Sequence, residues 1–169
     1  MPHLAAGTYP PYFQNYINLV HTDTVTAAIE KYSPNILSFF RNIPLKKVDY
    51  RYAEGKWTIK EMLQHIIDTE RIFAYRALRV SRHDTTPLPG FDETAYALAS
   101  NAASRTWQGL LEELEASRKS TDLLLQSFTP GHLQQSGVIN EHPNTTIAIS
   151  FVIFGHILHH INIVKERYL

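Results

Sequence analysis

The sequence predicts an all-α fold, an up-and-down four-helix bundle, from three observations. Four segments repeat apolar residues at three- and four-residue steps, the period of a helix with one buried face. No segment reads as a strand. The breaks carry residues that stop helices, Pro87-Leu88-Pro89-Gly90 and Thr129-Pro130-Gly131. The 169 residues are one domain's worth, and a chain of that size buries about two-thirds of its unfolded surface without staples. The expected organisation is a single domain over 1–169, with a leading arm over 1–21 and the bundle over 22–169.

The first helix is expected from Asp23 to Ile43, where Val25, Ile29, Tyr32, Ile36, Phe39, Phe40 and Ile43 make one stripe. Thr22 or Asp23 can cap its free backbone N–H groups, and Pro34 falls opposite the stripe, so a bend there leaves the buried face usable. The second helix runs from Thr58 to Ser81, on Ile59, Leu63, Ile66, Ile67, Phe73 and Ala77, with Thr58 and Glu61 as a capping box. Arg82 to Asp92 is a rigid Pro-rich loop, and a helix N-terminus accounts for Asp92 and Glu93. The third helix spans Ala102 to Phe128, aligned on Trp107, Leu110, Leu111, Leu114, Thr121, Leu125 and Phe128. His132 to Thr146 is polar and turn-rich, a long link of the kind that is often functional or irregular. The fourth helix, Thr145 to Arg167, is apolar nearly all round as far as Ile161, the pattern of a helix buried in a bundle. Periodicity leaves the order of the helices in space open.

Composition narrows the function. Sixteen basic residues balance sixteen acidic ones, so net charge is zero, which argues against nucleic acid as the main partner. A membrane is not expected as a partner either: the most apolar run, Ile147 to Ile163, is interrupted by Ser150, three histidines and Asn162. The first residues lack the basic start and apolar core of a signal peptide, and a cytoplasmic location is the simplest expectation. With no cysteine there is no disulfide, Cys-based zinc site or thiol nucleophile. Neither a Gly-rich phosphate loop nor a G-x-S-x-G elbow occurs. Nine histidines are conspicuous, so imidazole must carry any metal or acid–base chemistry.

The informative stretch is Phe154-Gly155-His156-Ile157-Leu158-His159-His160-Ile161. On a helix His156 and His160 lie about 40° apart and one turn along, so their rings can converge on one point. His159 lies about 60° from His156 on the other side and competes for that role. The face of His156 and His160 also carries Ile149, Val152, Ile153 and Ile163, so these imidazoles point into the bundle, where a polar group needs a partner. His65, at the edge of the second helix's stripe, offers a third ring. Three neutral imidazoles suit Zn, Ni, Cu or Fe(II) and leave a coordination position open. Asp68 is a candidate to hold the outer nitrogen of a ligand histidine, with Arg76 and Tyr75 nearby on the same helix; an ordinary helix-surface charge is the rival reading of Asp68. Tyr50, Tyr52, Trp57, Tyr75 and Trp107 line either a pocket or the core. His3, His21, His83, His132 and His142 fall in arms and loops and read as solvated.

These residues resemble the DinB/YfiT-like family of metal-binding four-helix bundles. The resemblance rests on Tyr52-Ala-Glu-Gly-Lys-Trp-Thr-Ile-Lys-Glu, His65, and the block beginning Asp68-Thr-Glu-Arg. It continues through Thr86-Pro-Leu-Pro-Gly-Phe-Asp-Glu to Gly155-His156, His159-His160 and Glu166-Arg-Tyr-Leu. It implies a divalent metal on His65, His156 and His160, with His159 as the adjacent non-ligand; Zn or Ni is the metal expected on such imidazoles. It also implies homodimers and activities that include thiol-dependent S-transfer, isomerisation and metal-dependent hydrolysis. The expected function is a metalloenzyme that activates a low-molecular-weight thiol or water against a small-molecule substrate, thiol S-transfer first and hydrolysis second. The rivals are a structural metal closed by Asp68 or His159, and a metal-free bundle that binds a small ligand.

Overall fold

Residues 4, 5 and 7–169 are described by a computed structural model; His3 lies outside them. The leading arm is no loose appendage. A 3-10 turn over Pro11–Phe13 runs into the one-turn helix α1 (Gln14–Ile17), and Phe13, Ile17 and Val20 are buried in the core.

α2 (Val25–Arg41) starts later than expected. Thr24, in extended backbone, takes the capping role expected of Thr22 or Asp23, its hydroxyl accepting from the Ala27 N–H at 3.1 Å. Pro34 lies within α2 on its exposed side. α3 (Ile59–Ser81) opens with the expected capping box, Glu61 accepting from the Thr58 N–H at 2.6 Å. A short helix, α4 (Glu93–Ala99), follows the Pro-rich loop, and Asp92 caps it by accepting from Thr94 and Ala95 at 3.0 Å. It buries just Ala97, so it has no apolar stripe to register in the sequence. α5 (Trp107–Gln126) begins five residues after the expected Ala102, because Asn101 is left-handed (φ 54°) and Arg105 is extended. Thr106 caps α5 instead.

The expectation of no strands is overturned between 132 and 146. After the one-turn helix α6 (Pro130–Leu133), β1 (Ser136–Ile139) pairs antiparallel with β2 (His142–Thr145). Asn140 and Glu141 join them with φ of 48° and 66°, the positive values a two-residue hairpin turn requires. Strands of four residues, one containing Pro143, are too short to show alternation. Leu88 bonds this hairpin through its backbone to Val138 and Asn140, both at 2.9 Å, which pins the Pro-rich loop.

α7 (Thr146–Arg167) is capped by Thr145 and is buried on almost every side. Its length and composition would let it cross a membrane, contrary to the sequence expectation, yet 72% of its most apolar window is buried inside the bundle. The main packing runs α2–α5, α5–α3, α3–α7 and α7–α2, so the successive long helices α2 and α3 face each other diagonally. That order places α3 beside α7 and brings their histidines together. α1 also packs on α7, at Gly155, where a Cβ would collide with the Tyr16 carbonyl.

Between α3, α5 and α2 the core holds a charged cluster. Arg118 (1% exposed) lies 3.2 Å from the Glu70 carboxylate, also meets Asp122, and rests 4.8 Å from the Phe154 ring. Ser33 donates to Asp122 at 3.0 Å.

Candidate metal centre

α3 carries His65 and α7 carries His156 and His160, one turn apart. Packing of these two helices places the three Nε2 atoms at a single locus. The His156 Nε2 lies 3.1 Å from that of His65 and 3.1 Å from that of His160. All three ligand atoms fall within 4.8 Å of one another, and all three residues are buried. Neighbouring rings hold them in place: Trp57 lies 4.9 Å from His65, while Tyr16 and Phe73 lie 5.6 and 6.3 Å from His156.

Electrostatics keep the trio neutral. Burial pushes His65 from its usual 6.5 down to about 4. Burial, with His65 and His159 adding to it, takes His160 to about 3. His156 is also lowered, first by burial and then by its histidine neighbours. No carboxylate joins the trio among the described residues.

The donor set fits a cation better than it fits itself. A neutral imidazole nitrogen has either one proton or one lone pair, so the His156 Nε2 cannot form full hydrogen bonds to both neighbours. One ion can take all three lone pairs. Ligand nitrogens about 2.0–2.1 Å from a tetrahedral ion lie about 3.3 Å apart, close to the spacing seen. On the outer side, the His65 Nδ1 faces Thr69 Oγ1 at 3.5 Å, and the His160 Nδ1 is buried with no partner among the described residues.

Two cavities reach the trio. One of about 590 Å³ opens on His156 and is walled by Tyr12, Tyr16, Phe73, Arg76, Phe91 and Glu93. The second, about 350 Å³, opens on His160 between Tyr52, Lys56, Trp57, Thr94 and Tyr168. The start of α4 stands between them, Glu93 on one side and Thr94 on the other.

The structure thus brings together His65, His156 and His160 and leaves other candidates apart. Asp68 does not stand behind His65. Its carboxylate accepts from Gln64 at 2.9 Å and lies 3.9 Å from Arg71, while Thr69 occupies the place behind the ring. Arg76 lies on the wall of the larger cavity. His159 turns out of the trio and stacks edge-on with Tyr16 at 5.3 Å. Of the aromatic candidates, Tyr52 and Trp57 line the smaller cavity, and Tyr75 is exposed beside Arg79. His21, His83 and His142 are exposed as expected, whereas His132 is half-buried and accepts from the Thr129 N–H at 3.3 Å to cap α6. Tyr12 and Tyr16 escaped the sequence reading; their one signal is a run of aromatics after two prolines, Pro10-Pro11-Tyr12-Phe13 with Tyr16.

Two comparisons bear on this geometry. The DinB superfamily matches residues 28–164. Among solved structures, YfiT from Bacillus subtilis superposes with a TM-score of 0.69 at 16% identity, covering 98% of this chain and 91% of its own. YfiT is described as a probable metal-dependent hydrolase with an unusual four-helix bundle topology. No curated protein matches.

Proposed function

This chain belongs to the DinB superfamily, and from that premise we propose that it is a metal-dependent hydrolase whose ion is held by His65, His156 and His160. The observation that carries the reading is the convergence of three buried, neutral imidazole nitrogens, unmatched among themselves, at the end of a cavity large enough for a small molecule. The likeness to YfiT supports water as the nucleophile. A divalent ion on three neutral ligands keeps its charge and supplies Lewis acidity to a water or thiol beside it. Zn and Ni both suit imidazole.

The protein's own groups do the remainder. Thr69 Oγ1 faces the His65 Nδ1 at 3.5 Å, where it would accept that nitrogen's proton in the tautomer whose Nε2 lone pair is free for an ion. Trp57 and Tyr16 fix the ring planes. Burial, then the charge of Glu93, raises the Tyr16 phenol, so it stays a proton donor on the cavity wall. Glu93 is the exposed wall carboxylate without a capping duty, and in this reading it is the cavity's candidate proton acceptor.

A second reading, thiol S-transfer, is favoured by the second cavity. A trio reached from both the His156 and His160 sides has room for two reactants. In this reading a low-molecular-weight thiol enters one side and its electrophile the other. The proposal includes the homodimer that the family resemblance implies.

The test is a panel of esters and amides offered to tag-free protein, with and without Zn or Ni, and with and without small thiols. Turnover lost on chelation, restored by the ion and independent of thiol supports hydrolysis. An absolute thiol requirement moves the assignment to S-transfer. Equal turnover by His156→Ala overturns both.

A further inference from the structure

The larger cavity contains a second feature, apart from the imidazoles. Arg76 sits on α3 eleven residues after His65. Eleven residues make three turns and about 20°, so both side chains leave the same face of α3, their Cα atoms about 16 Å apart along the axis. Helical side chains lean toward the N-terminus, so the guanidinium leans back toward the histidines.

Arg76 is 6% exposed, yet it has no carboxylate partner among the described residues. One N–H group donates to the Pro89 carbonyl at 2.8 Å, and the rings of Phe73 and Phe91 flank the guanidinium at 5.4 and 5.7 Å. It is thus held rigidly, with its remaining N–H groups unclaimed, on the wall of the cavity that opens on His156. Burial of an unpaired guanidinium is costly and is offset when an anion arrives.

The geometry points to Arg76 as the anchor for a carboxylate at the far end of the substrate, an inference that rests on the functional reading above for the reacting end alone. The oxyanion is a carboxylate rather than a phosphate dianion because Asp92 and Glu93 share the wall and repel a second negative charge. Tyr12, Phe13, Phe73 and Phe91 give the space between anchor and imidazoles an apolar, aromatic lining. The substrate class is an organic acid with an apolar body that separates its carboxylate from the bond that reacts.

The experiment titrates the full chain with 4-phenylbutyrate, its neutral amide and phenyl phosphate, followed by calorimetry or NMR. The wild type should bind the acid at least tenfold more tightly than the amide, and more tightly than the phosphate. Arg76→Met, which still fills the gap between the two rings, should abolish the acid's advantage, and Arg76→Lys should keep part of it by charge without the fork. Thermal melts check folding, and if Arg76→Met does not fold, Arg76→Lys decides. The same titration with His156→Ala separates this inference from the metal reading. An acid preference that survives there belongs to Arg76, whatever the metal content proves to be. An acid no tighter than the amide, a preference kept by Arg76→Met or unchanged in Arg76→Lys, or one lost in His156→Ala, overturns the assignment.

Discussion

α3 buries two polar clusters on different faces, and they are built in opposite ways. Toward α5, Glu70 and Asp122 compensate Arg118, and Phe154 covers its guanidinium. Toward α7, three imidazoles face each other with no opposite charge, and the His160 Nδ1 has no partner among the described residues. The first cluster contains its own counter-charges, and its Ser33 and Asp122 reach a separate cavity between α2 and α5; the second has no counter-charge and lies open to two cavities. Opposite charges paired across helices hold them in register, while three lone-pair nitrogens facing one another with no counter-charge mark the place for a cation.

Substitution is the strongest way to break this contrast. Arg118→Ala strands the Glu70 carboxylate in the core and should cost about 3–5 kcal/mol in denaturant unfolding. His156→Ala in chelated protein strands no charge and should cost clearly less. Equal losses would mean that both clusters are structural.

Acid should sharpen the contrast next. In metal-free protein His65 titrates near 4 when folded against its usual 6.5. The unfolded chain therefore takes up its proton first as pH falls. The stability that His65 contributes is intact above about pH 6.5 and drains away as pH approaches 4, by roughly 3 kcal/mol. The difference in unfolding free energy between wild type and His65→Gln, followed from pH 7.5 to 4, should shift against the wild type by that order. A flat difference would show that His65 is not held neutral.

A smaller effect concerns the arm that walls the open cluster. Gly155→Ala pushes α1 off α7 at Tyr16 and should cost about 1–3 kcal/mol. Phe154, which covers the Arg118 guanidinium, adjoins Gly155 on α7, so a double-mutant cycle with Arg118→Ala reads how strongly the two regions are coupled. Strong coupling between the two variants would contradict the separation of the two regions.

The long helices and the imidazole pair were legible because they depend on local rules. The four-residue step from His156 to His160 and the Thr58–Glu61 box both act within about one turn. His65 was readable as a buried histidine, but its partner behind the ring was not. Asp68 offered the stronger acceptor, yet its direction on the helix turns it to Gln64 and Arg71, and the hydroxyl of Thr69, at i+4, faces the ring. The diagonal placement of α2 and α3 depends on packing between helices, which periodicity does not encode. α4 and the hairpin bury too few side chains to leave a pattern. Gly155 was visible as a letter in an apolar helix, but the reason for it, the Tyr16 backbone, comes from residues far away in the chain.

The most direct measurement is the metal content of tag-free protein by elemental analysis, in the wild type and in His65→Ala, His156→Ala and His160→Ala. One divalent transition-metal ion per wild-type chain, falling to trace levels in each variant that remains folded, is the predicted result. The same trace in all four proteins, after exposure to Zn and Ni, would contradict the account.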